Sequence, residues 1–285
     1  MADTEMLTAH GRPVEQILPF FQPNQKMIIL TSGSETPNFI AKLLNDRGFG
    51  KSEMTVLSDM GSIEEKRFYA LASGWSHTVP KFNTLAINCI GNPGAQITAR
   101  VAGLDDSLYK HDGNITKKEV RAVTISKLMP MRGALLWDVG LGCGSVAIEW
   151  MRAGHDCRAI GIEPKKKRRE LAMKNALTLG TPKLSIIKGS APDALDNLER
   201  PDAIFIGGGF NQSTFDICWR ELKPFGRIVV NAVTLETEAE LLKLKETQGG
   251  ELCRISIQRS EAIGNRTGWR PLMQVTQWSK IKDAW

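Results

Sequence analysis

Apolar residues in the second half of the chain fall in short runs separated by helix-length stretches of mixed character, and the alternation is regular. Leu135–Val139, Ala159–Glu163, Leu184–Lys188, Ala203–Ile206 and Arg227–Asn231 are strand-sized and largely apolar, as expected of strands buried on both faces. Between them, Ser145–Arg152, Lys165–Leu179, Ser213–Leu222 and Glu236–Thr247 read as helices. This alternation predicts a parallel sheet with helices on both faces. The tail departs from it. Leu252–Arg259 and Met273–Lys280 are strand-like with no helix between them, which predicts an antiparallel pair closing one sheet edge. Near Asp105–Asn114 the strings Asp-Asp-Ser and His-Asp-Gly-Asn break the apolar pattern. Before that break, Met27–Thr31, Met54–Leu57 and Thr84–Ile90 read as strands, and Thr36–Asp46 and Ser62–Ala72 as helices. The expected organisation is a smaller α/β segment over 1–107 and a larger α/β domain over 114–285, with no internal repeat.

The length, 285 residues, suits this division. No apolar run approaches the roughly 18–20 residues of a membrane helix. The first residues are acidic and lack the apolar stretch of a signal peptide. The five cysteines are scattered without a Cys-x-x-Cys pair, and with the four histidines they show no ligand spacing. A reduced, cytoplasmic protein without a metal site is expected. The net charge of +6 favours an acidic partner, which could be nucleic acid or a small polycarboxylate. The basic run Lys165–Arg169 reads as a solvated helix face, and His155 as structural.

The strongest chemical signal is Asp138-Val139-Gly140-Leu141-Gly142-Cys143-Gly144, directly after one strand and before a helix. Alternate glycines let the backbone turn tightly and approach a ligand, while the helix start offers unpaired amides. A nicotinamide-binding fingerprint wants glycine at the sixth position, where this chain has Ser145. An Asp before the first glycine suits S-adenosylmethionine (AdoMet) methyltransferases instead. Glu163 ends the next strand, where a carboxylate can accept from both ribose hydroxyls. After the third strand, Ser190 and Ala191 could edge an adenine, although Ser190 equally suits a helix N-cap. The fourth strand runs into Gly207-Gly208-Gly209, leaving room at the carboxyl ends of the strands. An RNA methyltransferase is the main alternative. It would usually carry Asn or Asp followed by Pro-Pro and an aromatic at that place, and Ile206–Phe210 lacks it. A non-catalytic binding protein is opposed by the intact glycine loop with Glu163.

Several strings then point further. Ile115-Thr116-Lys117-Lys118-Glu119-Val120-Arg121, Asp138–Glu149, Ile206–Gly209, Asn231-Ala232-Val233-Thr234-Leu235-Glu236 and Gly268-Trp269-Arg270-Pro271 span residues 114–280. In this order they resemble the decarboxylating precorrin carbon-15 methyltransferases of cobalamin biosynthesis. His10-Gly11-Arg12-Pro13, Leu30-Thr31-Ser32, Arg47–Gly50 and Val56-Leu57 resemble the second half of the carbon-5 methyltransferase domain that precedes them. The resemblance implies a class I AdoMet-dependent methyltransferase, Rossmann-like, preceded by a truncated tetrapyrrole-methylase half-domain without carbon-5 activity of its own. It implies AdoMet as cofactor, a small tetrapyrrole as substrate, no nucleic acid or membrane partner, and a homo-oligomer, a tetramer in the family. The reaction implied is methylation of precorrin-6B at carbon 15 with loss of the ring C acetate carboxyl. For cofactor binding it implicates Asp138, Gly140, Gly142, Cys143, Gly144, Glu163, Ser190, Ala191, Gly207 and Gly208. Lys117, Arg121, Arg266 and Arg270 are expected to grip substrate carboxylates, the arginines bidentately through their guanidinium groups. Thr116, Asn231 and Thr234 should lie beside the substrate, although Thr116 also suits a helix cap with Glu119 as its capping-box partner. Glu149 is expected as an acid or a substrate contact.

Overall fold

The structure, a computed structural model, describes residues 3–283. It divides into two compact units, Met1–Arg100 with Thr178–Pro182, and Val101–Leu177 with Lys183–Trp285.

The first unit is built on five strands, β1 (Thr4–Thr8), β2 (Lys26–Leu30), β3 (Glu53–Ser58), β4 (Lys66–Leu71) and β5 (Asn83–Asn88), and one long helix, α1 (Thr36–Asp46). The sheet order is β1-β2-β5-β3-β4; β1 runs parallel to β2 and the other pairs are antiparallel. Period-two alternation puts Met27, Ile29, Met54, Val56, Leu85 and Ile87 on one face. They form a single core with Ile40, Ala41 and Leu44 of α1. On the other face, Met6, Leu30 and Tyr69 remain at least half exposed. Ser62–Ala72, expected as a helix, contains β4 instead. Lys66–Leu71 pairs along its whole length with β3, from Ser58↔Lys66 to Glu53↔Leu71. Tertiary pairing overrides local propensity here.

The second unit carries α2 (Lys118–Leu128), β6 (Leu135–Val139), α3 (Ser145–Ala153), β7 (Arg158–Ile162), α4 (Lys166–Thr178) and β8 (Ser185–Ile187). It continues with β9 (Ala203–Ile206), α5 (Gln212–Glu221), β10 (Arg227–Ala232), α6 (Leu235–Gln248) and strands β11 (Glu251–Ile255), β12 (Gln258–Ile263), β13 (Arg266–Pro271) and β14 (Val275–Ile281). Seven strands form one sheet ordered β11-β14-β10-β9-β6-β7-β8. The five from β10 to β8 are parallel, and β14 is antiparallel to both β10 and β11. On one face Trp137, Val139, Ile204, Ile206 and Val230 pack with Phe215, Leu241 and Leu244. The intervening Leu136, Ala203, Phe205 and Val229 pack with Ile125, Leu128, Val146 and Trp150 on the other.

The tail forms the expected antiparallel pair, but with an insertion. Between β11 and β14 the chain folds out into a separate two-stranded hairpin, β12–β13. Its residues are nearly all exposed on both faces, so no apolar alternation marked it. Residues 101–107, read with the first segment, also belong to the second unit. Leu104, Asp106 and Tyr109 are buried there, because their polar groups are absorbed by an ion cluster described below. Among the described residues no helix is long and apolar enough to cross a membrane.

Candidate active site

The sheet reverses its winding between β6 and β9, and the loops leaving these strands form the natural crevice for a ligand. Gly140, just past β6, has φ +80°, and a Cβ there would stand 2.8 Å from the backbone nitrogen of Gly208. The two glycine-rich turns therefore touch backbone to backbone, which no larger residue permits. Behind the first turn, Glu163 accepts hydrogen bonds from Gly142 N at 3.0 Å and Lys165 N at 2.9 Å. Gly144 enters α3 with φ +82°.

Asp138 is the most unusual group. One carboxyl oxygen, Oδ2, accepts from Ala147 N at 3.0 Å. The other, Oδ1, is buried and has no hydrogen-bond partner among the described residues. Burial pushes its pKa up to about 8, with the nearby Glu163 charge adding to the rise and the Ala147 amide opposing it. Burial likewise raises the Cys143 thiol.

Asp138, Gly140, Gly142, Cys143 and Gly207 line one side of a cavity of about 660 Å³. Thr116, Lys117 and Asn231 line it from elsewhere, joined by Leu272 and Met273. Residues that the sequence assigned to two ligands thus share one chamber. Among the described residues Lys117 has no ion-pair partner, so its ammonium is available to an anion. Gly144, Gly208, Glu163, Ser190 and Ala191 are not in the wall. Gly144 packs against Ala172, and Gly208 supports Gly140. Ser190 caps no helix with its side chain; only a single turn, Asp193–Leu195, follows, without a side-chain cap.

Arg121 and Glu149 require correction. Both are buried and neither lines the cavity. Arg121 Nε donates to Glu149 Oε1, Nη1 donates to Asp106 Oδ1 and the Thr116 carbonyl, and Nη2 donates to the Leu104 carbonyl. Glu149 also accepts from Gly103 N at 2.7 Å, Leu104 N at 3.1 Å and Tyr109 Oη at 3.0 Å. Four of the arginine's five N–H groups are spent inside the fold, and the glutamate's oxygens accept from four groups there. Instead the pair anchors residues 103–109 to α2 and α3. Thr116 does not cap α2, whose N-cap is Lys117 without a side-chain bond; its carbonyl serves Arg121. Thr234 caps α6 and faces solvent outside the wall. Arg266 and Arg270 lie exposed on β13, with Arg270 3.1 Å from Glu261, and neither reaches the wall. His155 is exposed against Asp156. In the basic run, Arg168 pairs with Asp112 at 2.8 Å and Arg169 donates to backbone carbonyls, so the run is only partly a solvated face.

Two supporting residues escaped the sequence reading. Arg259 on β12 donates to Glu119 at 2.6 Å and Asp106 at 3.0 Å, holding the hairpin to α2. Buried Asn175 binds both the N–H and the carbonyl of Lys110 and donates to the Cys143 carbonyl, tying the 110–117 loop to the glycine loop. Neither lies in a recognisable string.

The strand order, the antiparallel β14 and the glycine turn with its buried Asp define a class I methyltransferase fold. Comparison with known proteins narrows this. A family model for the precorrin methyltransferase domain matches residues 107–282. A Sinorhizobium precorrin-6Y C(5,15)-methyltransferase [decarboxylating] is 43% identical over 99% of this chain and 69% of its own length. The Mycobacterium tuberculosis protein of the same name is 36% identical over 90% of this chain and 65% of its own length, so this chain spans about two thirds of such relatives. The solved C-terminal domain of precorrin-6Y C5,15-methyltransferase from Rhodobacter capsulatus is 46% identical, with a TM-score of 0.61 over 65% of this chain and all of that domain. This chain belongs to the precorrin methyltransferase family.

Proposed function

We propose that the second unit methylates precorrin-6B at carbon 15, with AdoMet as donor and loss of the ring C acetate carboxyl as carbon dioxide. The observation that carries this reading is the single cavity joining the Asp138–Cys143 turn to Thr116, Lys117 and Asn231. Methyl transfer needs donor and acceptor in one enclosed space, where alignment can supply roughly 7–11 kcal/mol of the barrier. The names of the relatives supply the substrate class.

The residues present fit the cofactor. The unpartnered Oδ1 of Asp138 is a buried polar atom that a hydrogen-bonding group of a ligand would satisfy. The Gly140–Gly208 contact keeps side chains out of the space between the turns. Glu163 stands behind the cavity wall, braced by Gly142 and Lys165, and its remaining lone pairs would take ribose hydroxyls once the glycine turn adjusts to the ligand. When bound, AdoMet supplies an activated methyl on sulfonium. The protein's part is orientation: Lys117 attracts a substrate carboxylate, and Asn231 offers an uncharged amide. With Arg121 neutralised inside the fold, few cations face the cavity. A departing carboxylate held by neutral groups is less stabilised in the ground state, which favours its loss.

The test is incubation with precorrin-6B and AdoMet under anaerobic conditions, followed by mass analysis. The expected product has gained one methyl and lost one carbon dioxide. Recovery of unchanged precorrin-6B from a protein that binds AdoMet would overturn the substrate assignment.

A further inference from the structure

At the cavity wall, Asn231 is the visible end of a buried polar cluster built from three elements. Gln277 on β14 stands directly opposite Asn231 in the β10–β14 ladder, so their side chains share the sheet face that meets α2. Gln277 Nε2 donates to Asn231 Oδ1 at 2.8 Å and to Thr124 Oγ1 at 3.0 Å. Asn231 Nδ2 donates to the same hydroxyl at 3.2 Å, and Thr124 passes its own proton to the Val120 carbonyl at 2.8 Å. Thr124 and Gln277 are wholly buried, and Gln277 Oε1 has no partner among the described residues.

A core built only for stability does not need this arrangement. Apolar side chains of the same shape would fill the space and leave no unpaired carbonyl, which is neutral or favourable for folding. The cluster does have one consequence for the cavity. Thr124 Oγ1 accepts two N–H groups and donates once, so its hydrogen directions are fixed, and with them the rotation of the Asn231 amide. One N–H of Nδ2 and one lone pair of Oδ1 are consumed inside. The second N–H and the second lone pair remain for the cavity that Asn231 lines.

We infer that Gln277 and Thr124 are positioning residues that lock the Asn231 amide so that it presents one fixed donor and one fixed acceptor to the tetrapyrrole. The donor suits a ring carboxylate and the acceptor a pyrrole N–H. This inference rests on the substrate reading above. Preorganised amides of this kind help only when their orientation is held by neighbours.

The experiment is a double-mutant cycle on the full chain, with Gln277→Met, Asn231→Ala and the pair, supported by Thr124→Val. Gln277→Met should lower kcat/KM for precorrin-6B about tenfold while AdoMet affinity and the melting temperature stay at wild-type values. In the Asn231→Ala background the same change should cost nothing further, because its effect passes through Asn231. Additive losses, or a fall in melting temperature that accounts for the lost activity, would overturn the inference. A second readout is independent of the substrate. The Asn231 Nδ2 proton that bonds Thr124, followed by NMR in asparagine-labelled protein, should be protected from exchange in the wild type and exchange freely in Gln277→Met. Wild-type protein inert towards precorrin-6B but with that Asn231 proton protected would sink the substrate reading while keeping the lock. Equal exchange in both proteins would sink the lock.

Discussion

Arg121 Nε lies 2.5 Å from Glu149 Oε1, with the arginine side chain wholly buried and the glutamate 1% exposed. Desolvation opposes the arginine's charge, and its carboxylate and Tyr109 neighbours more than restore it, so its pKa is raised. Removing one member leaves the other as a buried, unpaired charge, which typically costs about 3–5 kcal/mol. Arg121→Ala is therefore expected to lower the urea midpoint sharply, and Glu149→Gln to do so less severely. A substrate-gripping arginine would behave differently, raising KM with little change in stability. Unfolding curves and KM measured on the same preparation separate the two.

Asp138 ties stability to pH. Its carboxyl is raised to about 8 in the fold, from an ordinary 3.8. The folded state thus holds a proton that the unfolded chain releases. The contribution to stability is complete below the unfolded value and is lost as pH rises through the folded one. Between those limits stability should fall with pH by up to about 1.4 kcal/mol per unit from this group alone. Asp138→Asn should flatten that part of the profile, read as urea midpoints across the window. An unchanged slope would mean that the carboxyl titrates normally.

The cofactor turn gives a sharper test. Gly140→Ala places a methyl against the backbone of Gly208 at a positive φ, so the two turns must part. AdoMet affinity by calorimetry should drop at least tenfold, about 1.4 kcal/mol. Glu163→Ala should cost about 1.5–3 kcal/mol for each charged hydrogen bond lost. Because Glu163 also braces Gly142, Glu163→Gln should retain more affinity than alanine does. Folded variants binding AdoMet as tightly as the wild type would refute the site.

What could be read in advance follows the range of the interactions. The bounds of Leu135–Val139 and Ala203–Ile206 coincide with the observed strands, because these buried parallel strands are apolar apart from Asp138 and run into glycine. The glycine turn was legible since its chemistry sits in one string. Ser62–Ala72 was misread because its strand identity comes from pairing with β3. The hairpin β12–β13 carries no apolar alternation, since both its faces meet solvent. Arg121 lies in a family string, yet its burial is decided by Glu149, Asp106 and Leu104, distant in sequence. Thr124 and Gln277 gave no signal at all, because a lone Thr in a helix and a lone Gln in a strand acquire meaning only when β10, β14 and α2 converge.

The last prediction concerns the hairpin. Ile257 precedes β12, and Leu272 and Met273 follow β13; all three line the cavity, so the hairpin's seating shapes its wall. Arg259 on β12 provides the seat through Glu119 and Asp106. The arginine is partly exposed, and its bidentate grip on Glu119 lowers the glutamate pKa. Screening limits what such a pair adds to global stability, typically to about 1 kcal/mol or less. Its geometric effect on the wall should be larger. Arg259→Ala is expected to raise the KM for precorrin-6B severalfold, to leave AdoMet affinity unchanged, and to lower the melting temperature only slightly. Glu119→Gln should reproduce the KM effect in weaker form, because one neutral acceptor remains. Limited proteolysis offers a second measure, since a released hairpin becomes a preferred cleavage site between Gln258 and Pro271. If Arg259→Ala leaves both KM and the cleavage pattern at wild-type values, the hairpin is seated by other contacts and the arginine has no part in shaping the site.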